Sequence, residues 1–380
     1  AVLYVLDPAT GAPIGSDDGM IDTGVGSPSG SSCNGMSTPV FLDSDNDGKA
    51  NYAYAGDLQG NVWKFDISDA DVANWESVYQ DGSGNPQPLF QARDSAGNPQ
   101  PITTRLALKR HCVNGYSGYM VVFGTGKFIS NGDFTDTSPQ AVYGIWDWAA
   151  EWQAEGETGP DKYFGAYHDP ATGELSNLSG HSDLPGVGAD LTLLGQASVE
   201  EGITVGERNW GVTTSNEINW FNVERFMELR ASGNTTDYGN GAGEGYHVGW
   251  RFSLPRSGER VIADPVLWQG YALIVSQEPS TNMCEVGGTS YQTVLDFCSG
   301  AAPDEAFFDV NDDDKVSEAD TVTTSGGASL PPGRVELSSF TGYSPAMVED
   351  KIYYGPEDEK KYTVKYNPSS LLFWRFLNIE

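Results

Sequence analysis

Basic residues are scarce in this chain of 380 residues, which has 21 Lys and Arg against 53 Asp and Glu, a formal net charge of -32. Such a surface repels the phosphates of nucleic acids and the headgroups of anionic lipids, so neither is expected as a direct partner. The acidic surplus favours solubility, including in saline surroundings, or neutralisation by bound cations. The two interpretations are compatible, because two metal sites would use only a few of the acids.

Cysteine is also rare, and no two cysteines stand in a CxxC motif, which excludes zinc ribbons, redox motifs and c-type haem attachment. The even number in a glycine-rich chain predicts disulfides in an oxidising compartment. Cys284 and Cys298 are close enough in sequence to close one hairpin loop, which would leave a long-range pair, Cys33–Cys112. This pairing is one of three possible ones, and the sequence leaves the choice open.

Motifs for covalent catalysis are missing. No HxxxH, HExxH or GxSxG pattern occurs, and Gly124-Thr125-Gly126-Lys127 lacks the spacing of a phosphate-binding loop. The sequence therefore predicts a protein without catalytic residues and without enzymatic activity. The four histidines are scattered and are expected to be structural: His111, His168, His181 and His247.

Long apolar runs are absent as well. No segment approaches the roughly 20 apolar residues of a membrane-spanning helix. The chain has no signal peptide and opens in a strand-like run, AVLYVLDPATG, without an initiator Met. We therefore expect a processed product or a fragment of a longer precursor.

Many turn-forming and aromatic residues indicate the fold class. The chain has 46 Gly, 21 Pro and 12% aromatic residues, and almost no helical periodicity, which together favour an all-β fold with long loops. Recurring strand pairs without a strict period favour an irregular β-propeller, with a β-sandwich as the alternative. The length allows one to three domains. We expect a single domain over 1–380, with insertions at about 147–200 and 279–333.

Apolar runs between turn signals predict the strands, and one helix is predicted at 223–231, capped by Asn222. The predicted strands occupy 2–15 (a hairpin), 39–66 (a strand and a hairpin), 103–108, 119–124, 141–146, 247–254, 260–267, 270–276, 345–354, 361–366 and 372–379.

A first loop of alternating oxygen donors lies at 43–51. Gly48 at the sixth position permits the sharp turn, and several hard oxygen donors in a flexible loop suit Ca²⁺ better than Mg²⁺. The alternative is an acidic surface turn. The candidate ligands are the side chains of Asp43, Asp45, Asp47 and Asn51 and the backbone carbonyl of Lys49.

A second loop, at 309–320, has the spacing of an EF-hand loop without flanking helices, and resembles an isolated loop of the dockerin kind. Asp314 replaces the usual glycine at the sixth position, where an aspartate tolerates left-handed backbone better than most residues. The alternative is a solvated acidic run. The candidate ligands are Asp309, Asn311, Asp313, Ser317 and Asp320 by side chain and Lys315 by its carbonyl.

Residues 43–68, DSDNDGKANYAYAGDLQGNVWKFDIS, resemble the signature of the PilY family of type IV pilus tip and biogenesis proteins. Four further stretches resemble the family in the same order. They are VVFGTGKFIS (121–130), QAVYGIWD (140–147), GERVIADPVLWQGYALIVSQEP (258–279) and MCEVGGTS (283–290).

The resemblance implies a modified β-propeller at the C-terminus of a longer secreted protein. It also implies an extracellular location at the pilus tip, reached through the periplasm and outer membrane, with minor pilins and a host or abiotic surface receptor as partners. Calcium at 43–51 would regulate pilus extension and retraction. The family usually has Asp at the ninth position of this loop, so Asn51 implies weaker calcium binding here.

Two other functions stay open on the sequence. YVLDPATG (4–11) resembles strands of pyrroloquinoline quinone dehydrogenases, which also bind calcium, although their adjacent paired cysteines and regular tryptophan-docking repeat are absent. The third possibility is a purely structural component of a surface layer or filament.

Overall fold

The structure is a computed structural model. It describes residues 1–14, 19–26, 33–80, 83–147, 192–221, 247–280, 287–337, 343–348, 350–354 and 362–364. These residues form strands with two short 3₁₀ turns, at Val72–Asn74 and Asn131–Phe134. The prediction of an all-β fold is confirmed.

Twenty-five strands are described. The first twelve are β1 (Val2–Tyr4), β2 (Met20–Asp22), β3 (Val40–Leu42), β4 (Tyr52–Gly56), β5 (Asn61–Asp66), β6 (Glu76–Ser77), β7 (Tyr79–Gln80), β8 (Pro86–Gln87), β9 (Phe90–Gln91), β10 (Ala107–Arg110), β11 (Tyr119–Gly124) and β12 (Ala141–Asp147). The others are β13 (Thr192–Gln196), β14 (Ser198–Val205), β15 (Arg208–Thr213), β16 (His247–Ser253), β17 (Val266–Trp268), β18 (Tyr271–Pro279), β19 (Gly288–Asp296), β20 (Val322–Thr323), β21 (Ser329–Leu330), β22 (Arg334–Glu336), β23 (Ala346–Val348), β24 (Lys351–Tyr353) and β25 (Tyr362–Thr363).

The first large sheet has the order β3-β4-β5-β6, and β9 also pairs with β5. Its central hairpin turns at 57–60, where Gly60 has a φ of 79°. The buried Asp57 holds this turn, because its carboxylate accepts hydrogen bonds from the Asn61 backbone at 3.0 Å and from Trp63 Nε1 at 2.8 Å. The Leu-Gln-Gly-Asn stretch is thus a tight turn organised by one carboxylate.

The second large sheet has the order β10-β11-β12-β16-β13. The strands β11 and β12 are buried along their whole length, as expected of central strands. The strand β16 pairs antiparallel with β12 and parallel with β13. The sheet therefore combines the antiparallel strands β10–β12, which follow one another along the chain, with β13 and β16, which come much later in the chain.

The third large sheet has the order β14-β15-β22-β19-β18-β17. Its longest hairpin, β18–β19, pairs nine residues on each strand, from Tyr271–Asp296 to Pro279–Gly288. Smaller pairings complete the fold: β1-β2, β7-β8, β20-β21 and β23-β24-β25. The sheets differ in size and strand order, as irregular propeller blades do.

A single apolar cluster links the three large sheets, with members that include Val62, Trp146 and Ile274. A second cluster, around Trp210 and Phe308, packs the third sheet against the C-terminal strands. Burial of apolar area in these two clusters contributes the main stabilisation at roughly 25 cal/mol per Å².

The predicted strands at 119–124, 141–146 and 247–254 are confirmed within one residue. The predicted strand at 103–108 is displaced to Ala107–Arg110, because Ile102 and Thr103 instead contact Gly126 through a β-bridge and a side-chain hydrogen bond. The strand predicted at 260–267 is shortened to Val266–Trp268, with an isolated bridge from Arg260 to Gln277.

The predicted helix at 223–231 and the predicted strand at 372–379 lie outside the described residues, as does most of the insertion at 147–200. The region 279–333 contains β19 and the loop at 309–320. The arrangement of 1–380 as one domain stays a prediction.

The cysteine pairing differs from the one suggested by sequence proximity. Cys112 and Cys298 form a disulfide, with Cα atoms 5.8 Å apart across 186 residues of chain. The reason is the fold, because the turn after β19 packs on β10, where Lys109 Nζ lies 4.2 Å from the centre of the Phe297 ring. The pairs Cys284–Cys298 and Cys33–Cys112 are therefore wrong. Cys33 is exposed, and Cys284 lies outside the described residues.

Candidate metal-binding loops

The loop between β3 and β4 folds around its own carboxylates. Asp43 accepts hydrogen bonds from the backbone of Asp47 at 3.2 Å and of Gly48 at 2.9 Å, and Asp45 also accepts from Asp47 at 3.2 Å. Asp47 in turn accepts from the Lys49 backbone at 2.8 Å. Oxygens of Asp43, Asp45 and Asp47 all lie within 4.8 Å of one another, close enough to share one cation.

Asn51 closes this loop from its far end. Its side-chain oxygen accepts hydrogen bonds from Ser44, from the backbone nitrogen at 2.7 Å and from the hydroxyl at 2.9 Å. The residue predicted as a fourth side-chain ligand therefore already holds the two ends of the loop together.

The loop at 309–320 repeats the same hydrogen bonds. Asp309 accepts from the backbone of Asp313 at 3.2 Å and of Asp314 at 2.8 Å, Asn311 accepts from Asp313 at 3.0 Å, and Asp313 accepts from Lys315 at 2.9 Å. The two loops thus share one hydrogen-bond pattern, although the first lies between β3 and β4 and the second between β19 and β20.

The backbones of the two loops agree as well. The fourth positions, Asn46 and Asp312, have φ values of 60° and 59°, and the sixth positions, Gly48 and Asp314, have φ values of 89° and 63°. The expectation that an aspartate adopts the left-handed conformation at the sixth position is confirmed.

The loops differ at the residue that closes them. Asp320, which is fully buried, accepts hydrogen bonds from the backbone of Val310 at 2.8 Å and of Ser317 at 2.7 Å. It thereby takes the place of Asn51, which bonds the equivalent second position of the first loop. This equivalence is not apparent from the sequence, because Asn51 stands at the ninth position of its loop and Asp320 at the twelfth position of the other.

The first carboxylates of the two loops have opposite pKa shifts. For Asp43, burial raises the pKa, but the backbone N–H groups of Gly48, Asn46 and Asp47 together lower it below its ordinary value. For Asp309, burial raises the pKa, and the nearby Asp320 and Asp313 carboxylates add to this, against the backbone hydrogen bonds. In both loops the donors are hard oxygens, so the residues fit Ca²⁺.

Two cations lie on the outer side of the second loop. Arg208 Nη1 is 3.0 Å from Asp312, and Lys351 Nζ is 3.7 Å from Asp314. These pairs engage aspartates at the fourth and sixth positions, outside the predicted ligand set. The predicted ligands Asp309, Asn311 and Asp313 instead accept backbone hydrogen bonds within the loop.

The buried histidines lie apart from both loops. His111 packs among Tyr116, Trp146 and Trp220, and its Nδ1 accepts a hydrogen bond from the Val113 backbone at 3.2 Å. Burial lowers the pKa of both His111 and His247 to about 4. His168 and His181 lie outside the described residues.

Three buried charged groups were missed by the reasoning from sequence. Lys64 meets Asp147 between the first and second sheets, and Arg334 meets Glu259 in the third. Arg260 donates to the carbonyls of 127, 133 and 136, which joins the GERV stretch to the turn after GTGK. Lys64, Asp147 and Arg260 stand in three of the stretches that resemble the PilY family, and each of them contacts a distant part of the chain.

Comparison with known proteins agrees with this geometry. The family model of the PilY1 beta-propeller domain matches residues 1–163. The type IV pilus biogenesis factor PilY1 of Pseudomonas aeruginosa strain PAO1 is 29% identical over 324 residues. The crystal structure of the Pseudomonas aeruginosa PilY1 C-terminal domain superposes with a TM-score of 0.68 at 24% identity, covering 97% of this chain and 67% of that one. Residues 1–163 thus match the PilY1 beta-propeller domain, and the chain is similar to the PilY proteins over most of its length.

The similarity covers only part of the PilY proteins. The match to the PAO1 protein covers 82% of this chain and 24% of that protein. A PilY1 homolog of Xylella fastidiosa strain Temecula1 is 39% identical over 150 residues, which are 39% of this chain and 10% of that protein. The chain therefore spans about a quarter or less of the length of these relatives.

The match to the PilY1 beta-propeller domain and the structural similarity to the PilY1 C-terminal domain confirm an irregular β-propeller and disfavour the β-sandwich. The relatives are named as pilus biogenesis factors, which favours a non-enzymatic role over the quinoprotein alternative. Among the described residues, no helix is long and apolar enough to cross a membrane.

Proposed function

We propose that this chain is the calcium-binding propeller of a type IV pilus biogenesis factor that also acts as an adhesin at the pilus tip. The observation that carries the proposal is the convergence of Asp43, Asp45 and Asp47 in a loop built into the first sheet. The similarity to PilY1 pilus biogenesis factors supports the pilus role. The partners would be minor pilins and a host or abiotic surface receptor, and the location extracellular.

The loop is placed to influence the contact between two sheets. Arg110, at the end of β10, donates a hydrogen bond from Nη2 to the carbonyl of Ser44 at 3.4 Å. The same Ser44 is held by Asn51. A cation that neutralises the three aspartates would fix the position of Ser44, and with it the contact to β10. This is a physical route by which calcium would regulate pilus extension and retraction.

Calcium is expected to stabilise the fold. A ligand that binds only the native state adds about 2.7 kcal/mol to the free energy of unfolding at a hundredfold excess over Kd. Thermal unfolding in calcium and in EGTA measures the difference. The Asp45→Ala/Asp47→Ala variant removes two candidate calcium ligands from the first loop. Asp309→Ala/Asp313→Ala is the matched variant of the second loop. An unchanged melting temperature in EGTA would exclude a structural role for calcium.

Asp45→Ala is expected to lower calcium affinity more than Asn51→Ala. The Asp45 carboxylate belongs to the shared oxygen cluster, whereas the Asn51 oxygen is bonded to Ser44. Asn51→Asp is expected to raise the affinity, because it supplies the closing carboxylate that Asp320 supplies in the second loop. Isothermal titration calorimetry measures all three, and equal affinities for the two alanine variants would contradict the assignment.

The same variants test the cellular role. A strain whose full-length protein carries Asp45→Ala/Asp47→Ala is expected to show altered pilus extension and weaker surface attachment, with protein level unchanged. Counts of surface pili and attached cells are the readouts, and the matched second-loop variant is the control. Normal pili and attachment, with calcium binding abolished in the purified protein, would refute calcium regulation.

A further inference from the structure

Lys64 and Asp147 form a contact that joins two sheets deep in the protein. Lys64 lies on β5 of the first sheet, and Asp147 ends β12 of the second. Both side chains are fully buried, with Lys64 Nζ 2.8 Å from Asp147 Oδ2. Charged residues in strands usually stand on a solvent-exposed face. These two instead meet in the contact between the two sheets.

The Lys64 nitrogen is close to the carboxylate but poorly oriented toward it. Among the described residues, Nζ has no acceptor with hydrogen-bond geometry, although an ammonium group has three N–H donors. The short distance and the missing hydrogen bond are compatible, because the distance between two atoms does not fix the angles that a hydrogen bond requires. An ammonium without hydrogen bonds is costly to bury.

The Asp147 carboxyl group is held by two phenols. Tyr54 donates to Oδ2 at 2.6 Å and Tyr79 donates to Oδ1 at 3.1 Å. Burial, followed by the Asp147 charge, raises the pKa of Tyr54 well above its ordinary value, so its hydroxyl keeps its proton. Fixed donors aimed at both oxygens stabilise the negative charge that develops when a nucleophile attacks the carboxyl carbon.

We propose that Lys64 and Asp147 condense to an intramolecular isopeptide bond. In the proposed reaction one ammonium proton first passes from Lys64 Nζ to Asp147 Oδ2, 2.8 Å away. The resulting amine forms the N–C bond to Asp147 Cγ, and Oδ1 carries the negative charge against the Tyr79 hydroxyl. The C–Oδ2 bond then breaks, and Oδ2 leaves as water with its own proton and one from the amine, relayed by Tyr54. One amide and one water form from one amine and one carboxylic acid, without an oxidant or a cofactor.

The surroundings favour this condensation over its reversal. Preorganised reacting groups gain effective concentrations of about 10⁵–10⁸ M, and a fully buried site excludes the water that would hydrolyse the amide. The terminal nitrogen of Lys64 also lies against an aromatic ring, since Nζ is 4.5 Å from the centre of the Tyr52 ring. The bond would tie the first sheet to the second and, unlike Cys112–Cys298, would survive reduction.

Mass spectrometry of the reduced, denatured chain tests the bond directly. The native chain is expected to be lighter than its sequence mass by one water molecule, whereas Lys64→Arg and Asp147→Ala are expected at full mass. After tryptic digestion, the chain is expected to remain uncleaved after Lys64, with that peptide linked to the one that contains Asp147. Tyr54→Phe is expected to retain a fraction at full mass.

A native chain at full sequence mass would overturn the proposal, as would a water loss that maps to a single peptide, such as a succinimide. The mass of the native chain tests the proposal without any variant that has to fold. It is independent of calcium, so it separates this bond from the proposed pilus function.

Discussion

Arg334→Ala is expected to lower the free energy of unfolding by about 3–5 kcal/mol, the usual effect of removing one partner of a buried ion pair. Arg334 is buried in the third sheet, with Nη2 2.6 Å from Glu259 and Nε 3.0 Å from Glu201. Glu259 is fully buried and would lose its cationic partner. The Ser276 hydroxyl at 2.5 Å and the Arg256 backbone nitrogen at 3.3 Å would remain as its hydrogen-bond donors. Denaturant unfolding at neutral pH measures the effect.

The matched control removes both charges at once. Arg334→Met/Glu259→Gln is expected to be much more stable than Arg334→Ala, because well-packed neutral replacements of a buried ion pair are often near neutral. A stability of Arg334→Ala within about 1 kcal/mol of the native chain would contradict the stabilising role of this buried pair.

Trp250→Ala is expected to lower the free energy of unfolding by about 3–5 kcal/mol, as large aromatic truncations in cores do. Trp250 is fully buried on β16, and its indole nitrogen donates to the carbonyl of Phe297 at 3.1 Å. Two glycines lie against its ring, Gly144 on β12 and Gly300 in the turn after β19. A Cβ atom at either glycine would overlap the indole. Denaturant unfolding again gives the free energy.

Substitution of Gly144 tests whether the effect of Trp250→Ala depends on the indole ring that Gly144 contacts. Gly144→Ala alone is expected to cost about 1–3 kcal/mol through overpacking. Combined with Trp250→Ala, it is expected to add almost nothing, because the ring that it would overlap is gone. Strictly additive effects of the two substitutions would show that the close approach of Gly144 to the indole does not limit stability.

The sequence predicted those parts of the fold that depend on local signals. The strands β11 and β12 are nearly continuous apolar runs, and the turn at 57–60 has the residues that tight turns require. It did not predict that β16 pairs with β12, because strand order within a sheet depends on contacts between residues distant in sequence. The disulfide of Cys112 was missed for the same reason, since Cys298 reaches it only through packing of the third sheet on β10.

The candidate site shows a similar division. The alternation of Asp43, Asp45 and Asp47 was enough to predict that their oxygens converge. The equivalence of Asn51 and Asp320 was not predictable, because it depends on which backbone N–H groups each side chain reaches. Lys64 and Arg334 stand in strands where a long cationic residue normally indicates a solvent-exposed face, and only the packing of neighbouring sheets buries them.

The order of strands along the chain has a consequence for how the protein comes apart. The chain enters the second sheet with β10–β12, returns to it for β13, visits the third sheet with β14 and β15, and returns to the second with β16 before completing the third. The second sheet is complete only at Ser253, the end of β16, when the third has already begun, and the third is complete only at Glu336, the end of β22. The two sheets therefore cannot be cut into separately expressed fragments, and a tension applied along the chain would have to rupture both as one mechanical unit.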